Sequence, residues 1–371
     1  MTVTTLDVDR KQLSTTRIFT EPDRPLVEGE VRVSVEHFAL TSNNITYGVF
    51  GDGMRYWDFF PSNQDSETLW GRIPVWGFAE VVDSRMPSVE VGRRIYGYLP
   101  MSTDLIVKPG RVDERGFVDT SEHRSAMAAT YNRYMFTDHD PTYRTDREAQ
   151  QMVLWPLFMT SFMIDDFLGQ NVLEEDASSI TTVVISSASS KTAIGAAYLL
   201  AQRTGVTVVG LTSAKNADFV RSLDCYHRVV TYDQIGDLPS GTASDITAYV
   251  DIAGDRSVTH GVHAHYQDDL SYSMVVGSTH WDAPTVTDGG LAGPKPEFLF
   301  APSQIALRSK EWGREGLDQR VGESWNRFSE WTGSWMKVEQ TSGAAAVEKL
   351  YQELLAGRVD PTVGHVCSMR S

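Results

Sequence analysis

The sequence predicts an α/β protein of two domains, a partly open β-barrel and a doubly wound parallel sheet. Three observations predict it. The chain has 371 residues, 41% hydrophobic and 22% charged, and single cores stop growing at about 250–300 residues. Between Leu26 and Tyr98 apolar and polar residues alternate and glycines punctuate them, as in half-buried strands joined by turns. From Thr182 onward, continuous β-branched runs alternate with helical segments, as in strands covered on both faces by crossover helices.

In chain order, Val31-Arg32-Val33-Ser34-Val35 and Gly77-Phe78-Ala79-Glu80-Val81-Val82 are the clearest barrel strands, and Gly92-Arg93-Arg94-Ile95-Tyr96-Gly97 closes the set. Residues 110–150 are polar, rich in Asp, Arg, Thr and Tyr and without strong periodicity, which predicts a long loop or lid. Met152 to Ile164 is apolar on nearly all faces, so a buried helix bridging two lobes is expected. Thr182-Val183-Val184-Ile185-Ser186, a helix from Ala193 to Arg203, and Val206–Leu211 make a βαβ unit. The alternation continues with a helix near Asn216–Leu223, strands at Arg228–Val230 and Ala248–Ile252, a helix near Val258–Gln267 and a strand at Ser271–Val276. That order predicts the doubly wound sheet. Helices near Glu323–Val338 and Ala344–Leu355, the second stopped by Gly357, and a strand at Val363–Met369 finish the chain.

Charge and composition narrow the function classes. With 33 basic and 49 acidic residues the formal charge is −16, which argues against nucleic acid as a partner because phosphate backbones need a positive surface. Two cysteines, Cys225 and Cys367, are too few for a disulfide framework or a four-cysteine zinc lobe, so a reducing compartment fits. Met1 to Thr20 lacks the continuous apolar stretch of a secretory signal, and no stretch approaches the ~20 apolar residues of a membrane span. A soluble, cytoplasmic protein with no membrane partner is expected.

The first βα turn reads Ser186-Ser187-Ala188-Ser189-Ser190-Lys191-Thr192-Ala193-Ile194-Gly195. Phosphate binding needs backbone N–H groups at a helix N-terminus and small residues that let the ligand approach. Position and smallness fit, but the Gly-x-Gly-x-x-Gly spacing is absent. Ser187, Ser189, Ser190, Lys191 and Thr192 are the candidate cofactor contacts: hydroxyls to donate to phosphate oxygens and one lysine for charge. The same residues also fit the serine-rich N-cap of an ordinary helix. At the end of the second strand, Leu211-Thr212-Ser213-Ala214-Lys215-Asn216 carries no acid to hold ribose hydroxyls. Ser213 and Lys215 would suit a 2′-phosphate, which favours NADP(H) over NAD(H); alternatively Ser213 merely caps the next helix.

Gly29-Glu30-Val31-Arg32-Val33-Ser34-Val35 with Ala39-Leu40-Thr41-Ser42-Asn43-Asn44, the Gly77 and Gly92 motifs, and Pro156 to Phe162 together resemble the medium-chain dehydrogenase/reductase superfamily. Within it the likeness is to the zinc-independent quinone oxidoreductase and enoyl reductase branch, and it spans most of the chain. It implies a GroES-like substrate domain over 1–155, completed by part of 307–371, and a Rossmann nucleotide-binding domain over 156–306. Val276–Trp281, Phe298–Pro302 and Glu311–Gly313 are similar to a branch of that superfamily whose function is not described, which implies no substrate. Where zinc-dependent relatives place a Cys after the first strand and a His-Glu pair before the Gly77 motif, this chain has no cysteine and carries Val75-Trp76. Catalytic zinc is therefore not expected. By analogy with zinc-free relatives, a homodimer is expected.

The resemblance makes Tyr47 the leading proton donor, with Asn44 beside it to orient substrate; Tyr47 could instead simply pack at the barrel mouth. His280, with Thr279 beside it, follows a strand of the parallel sheet and should lie at its carboxyl end, where such sheets bind ligands. Asp251 is similarly placed but reads more readily as a solvated helix cap. His260, His263 and His265 do not share one helix face, so a solvent-facing helix is the stronger expectation there. The reading that follows is an NADPH-dependent reductase of a small conjugated or carbonyl substrate. Its alternatives are a cofactor-independent lyase or hydrolase-like enzyme using the same cleft, or a non-catalytic ligand-binding sensor.

Overall fold

The computed structural model describes residues 2–63, 68–173, 181–240, 246–276 and 290–371. Two compact units emerge, Met1–Val153 with Met336–Ser371, and Leu154–Trp335.

In the first unit a nine-stranded sheet runs in the order Lys337–Ser342, Val363–Ser368, Val31–Leu40, Pro74–Ser84, Arg94–Pro100, Arg133–Phe136, Gly116–Asp119, Pro109–Asp113, with Asp104–Val107 paired onto Val31–Leu40. Irregularities at Arg32/Val33 and Val35/His37 bend the strand Val31–Leu40, and such bulges increase the twist that curls a sheet toward a barrel. Two strands approach closely at Gly77: a Cβ there would lie 2.3 Å from the His37 carbonyl oxygen. The inward residues Val33, Val35, Phe38, Val75, Val81, Ile95 and Leu99 are buried and form the core. Thr2–Asp9 and Thr16–Pro22 pair as an antiparallel hairpin that the sequence pattern left unassigned.

Several elements differ from expectation. Residues 110–150 are no loop, since Gly116–Asp119 and Arg133–Phe136 lie in the large sheet. Their polar residues satisfy one another inside the protein. Arg124, buried to 1% exposure, donates to Asp119, Asn132, Tyr134 and the Tyr131 carbonyl. At the carboxyl end, Lys337–Ser342 is a strand rather than the end of a helix. Its residues pair in parallel with Val363–Ser368, and tertiary pairing overrides local propensity.

The third difference concerns the helix Glu148–Asn171, which is long and apolar enough to cross a bilayer by length and composition, contrary to expectation. In the second unit its Phe158, Met163, Ile164 and Leu168 are buried within the protein. Phe158 stacks on Phe328 and packs against Trp325, while Asp165 and Asp166 pair with Arg203 and Arg308. The aromatic partners come from Ala301–Thr332, a helix far longer than expected, broken at Gly313 (φ 70°, ψ 163°).

The second unit's sheet is parallel throughout, in the order Arg228–Thr231, Val206–Thr212, Thr181–Ile185, Ile246–Asp251, Tyr272–Val276, Glu297–Leu299. Numbered along the chain this is 3-2-1-4-5-6, the doubly wound order, and its switch point lies between Thr181–Ile185 and Ile246–Asp251.

Candidate functional site

At that switch point the chain turns from Ile185 into the helix Lys191–Leu200. Ser187 takes a left-handed conformation (φ 52°), which a glycine adopts more readily. Ser190 is the N-cap, its hydroxyl accepting from the Ala193 N–H. Small residues bring the backbones close. A Cβ on Gly210 would meet Ala188, and one on Gly195 would lie 2.5 Å from the Ser161 hydroxyl.

The loop's donors can be accounted for one by one. The Ala188 N–H goes to the Leu211 carbonyl and that of Ser190 to the Ser187 carbonyl. Ser187 N–H donates to the Tyr232 hydroxyl at 3.0 Å. Among the described residues no partner is found for the N–H of Ser189 or Thr192. Asn216 donates to the Ser189 hydroxyl at 2.9 Å and so pins the turn carrying Ser213 and Lys215 against the loop. Ser213 stands at the N-cap position of that turn but makes no capping bond. Lys215 is exposed, and no ion pair of it is found among the described residues. Beneath the loop Ser186 donates to Asp251 at 2.9 Å and accepts from the Ile252 and Ala253 N–H groups.

The first unit gathers aromatic side chains around the end of Val31–Leu40 and the helix Ser42–Val49. Tyr47, 6% exposed, accepts from the Trp76 indole N–H at 3.4 Å. Its ring lies 4.6 Å from that of Tyr56 and 5.6 Å from that of Tyr98. Tyr131 completes the ring of phenols, its hydroxyl 3.4 Å from that of Tyr56. Burial pushes all four phenols above their ordinary range, because a phenolate would lose its hydration there. Asn44 is spent on structure. Its side-chain oxygen accepts from the Thr41 N–H and hydroxyl, and its amide donates to the Pro74 carbonyl. It thus holds the helix bearing Tyr47 in place, rather than presenting a free amide oxygen to a substrate.

Residues 38–360 match a family described as a protein of unknown function (DUF2855). The chain belongs to that family. Solved structures similar to this DUF2855 chain include CurA from Vibrio vulnificus in complex with NADPH, with a TM-score of 0.59 and 12% identity over 96% of this chain and 94% of that one. A mutant form of enoyl thioester reductase from Candida tropicalis matches with TM-score 0.55 and 12% identity over 99% and 100%. The quinone oxidoreductase from Coxiella burnetii matches with TM-score 0.55 and 14% identity over 100% of both chains. No curated protein matches. The fold is that of the medium-chain dehydrogenase/reductase superfamily, a GroES-like barrel with a Rossmann sheet.

Of the residues singled out in the DUF2855 sequence, Ser187, Ser189, Ser190, Lys191 and Thr192 share one loop, with Ser213 and Lys215 tied to it through Asn216. Thr279 and His280 lie outside the described residues. Asp251 is not a solvated cap but is buried, accepting from Ser186, the Gly254 N–H and Thr259. The cap of the following helix is Asp255, whose carboxyl sits below its usual range because Ser257 and the helix N–H groups bond its ionised form. His263 is not solvent-facing either, being buried between the Ala292 carbonyl and Ser273. Sequence reasoning passed over Tyr232, Tyr98 and the indole of Trp76. Only Trp76 left a signal, as one of the two residues standing where zinc-dependent relatives carry a His-Glu pair.

Proposed function

We propose that this chain is an NADP(H)-dependent, zinc-independent reductase of a small conjugated or carbonyl compound. The observation that carries the reading is the loop at the sheet's switch point, where the helix Lys191–Leu200 begins and the Ser189 and Thr192 amides have no partner among the described residues. A helix N-terminus with uncommitted amides and small neighbours fits a diphosphate. Ser187 departs from the fit, since the Tyr232 hydroxyl already takes its N–H. The serine and threonine hydroxyls around it supply donors in compensation. Lys215, exposed at the end of Val206–Thr212, suits a 2′-phosphate. The reading agrees with the NADPH bound by the Vibrio vulnificus protein of similar fold.

Bound NADPH supplies a hydride, so that a conjugated carbonyl compound, NADPH and one proton become the saturated compound and NADP+. Tyr47 is the proposed source of that proton. Its phenol stays neutral because burial disfavours the charged form, and it can donate to an oxygen on which negative charge develops. The Trp76 N–H on its oxygen favours the phenolate left behind. Zinc has no place in this scheme because Val75 is fully buried and Trp76 stacks on Tyr96 where relatives carry metal ligands.

Titration against the fluorescence of the nine tryptophans tests the reading. NADPH is expected to give a saturable change, and Lys215→Ala to weaken it about tenfold while leaving NADH binding unchanged, a loss of about 1.4 kcal/mol. No saturable change up to millimolar NADPH would overturn the assignment and leave the cofactor-independent alternative.

A further inference from the structure

We propose that Tyr98 is a second hydrogen-bond donor, beside Tyr47, in an aromatic site that binds the oxygen of a flat, uncharged conjugated carbonyl compound. What happens to that compound rests on the reductase reading, but its binding does not.

Tyr98 stands in the strand Arg94–Pro100 with no exposure, and its hydroxyl has no hydrogen-bond partner among the described residues. Phenylalanine would bury the same ring without an unpaired polar atom. The Tyr98 ring lies 5.6 Å from that of Tyr47, and its hydroxyl acts on Tyr47 so as to favour the ionised form while making no hydrogen bond of normal geometry among the described residues. Tyr47 accepts from Trp76 and keeps its own proton to donate. Two neutral phenols thus stand side by side, each with a proton to offer. Paired buried donors of this kind stabilise an oxyanion as it forms.

The surroundings define the ligand. Trp76 and Tyr131, both half-buried, stand at the exposed side of the cluster with ring centroids 6.1 Å apart, and Tyr98 packs against both, at 5.0 and 4.9 Å. Flat faces favour a flat molecule. Among the described residues the full charge that Tyr98 senses is that of Arg124. Asp119, Asn132, Tyr134 and the Tyr131 carbonyl already engage four of the five N–H groups of that guanidinium, and the Asp119 carboxylate offsets its charge. A neutral compound with one accepting oxygen is what remains.

The probe is 4-(dimethylamino)cinnamaldehyde, a flat, neutral conjugated carbonyl compound whose visible band moves when its carbonyl oxygen is hydrogen-bonded. Wild type is expected to shift the band saturably without any nucleotide. Tyr98→Phe should weaken binding by about three- to tenfold, as for loss of a hydrogen bond between neutral groups, and Tyr47→Phe should weaken it as well. Because Tyr98→Phe removes an unpaired hydroxyl and keeps the ring, its Tm should be unchanged or raised. A lowered Tm would show that the hydroxyl has a structural partner and would overturn the assignment. So would a wild type blind to the probe, or a Tyr98→Phe protein that binds it as wild type does. Probe binding with no NADPH response would keep this site and remove only the reductase reading.

Discussion

Tyr47 is pulled two ways. Loss of hydration holds its proton on, while the Trp76 indole N–H bonded to its oxygen eases the proton off. If it is the proton source, Tyr47→Phe should lower kcat by about 100-fold or more, as for loss of a general acid, and leave the NADPH Kd untouched. Steady-state rates beside a fluorescence titration separate the two effects, and an unchanged kcat would return Tyr47 to a packing role. At this scale the sequence was legible where function uses small residues next to one another, as from Ser187 to Thr192. It was silent about Tyr98 and Tyr232. A tyrosine's neighbours in sequence say nothing of whether its hydroxyl is left without a partner among the described residues, as Tyr98's is, or meets a loop amide 45 residues away, as Tyr232's does.

The helix Lys191–Leu200 owes its seat to Gly195, which faces Ser161 on the helix Glu148–Asn171. That serine is itself fixed, donating to the Leu157 and Thr192 carbonyls. Gly195→Val should cost about 1–3 kcal/mol through overpacking, read from urea midpoints, and weaken NADPH binding because the helix carries the loop. Adding Ser161→Gly should restore part of both losses; if the two changes are merely additive, the close approach is not what positions the loop. Most elements of the parallel sheet could be read from periodicity because each is a continuous run buried on both faces. Residues 110–150 could not, since their polar side chains are paired inside around Arg124 and look, one by one, like surface. Nor could the extent of Ala301–Thr332, because Gly313 interrupts the pattern and Trp325 and Phe328 are buried by partners remote in sequence.

Across the whole molecule burial sets a common response to alkali. Tyr47, Tyr56, Tyr98 and Tyr131 are pushed above their ordinary value of 10.0, and Tyr134 and Tyr266 up to about 12, with desolvation the largest cause throughout. A phenol whose folded value is raised contributes fully below the unfolded value and loses that contribution as pH climbs toward the folded one. Urea midpoints should therefore be insensitive to these phenols between about pH 7 and about pH 9 and fall above about pH 10, with phenolate absorbance rising together with unfolding. Phenols that titrate near 10 in a chain that stays folded would contradict their burial. The sequence by itself determined the α/β class, a partly open barrel and a doubly wound sheet, most strands of that sheet and the place of its first βα turn, because these follow from periodicity over neighbouring residues. Only the tertiary structure decided that Tyr98 stands beside Tyr47 with a hydroxyl unpaired among the described residues, that Tyr232 holds the Ser187 amide and that Asp251 is buried. Each of those depends on which distant groups folding brings within hydrogen-bond reach.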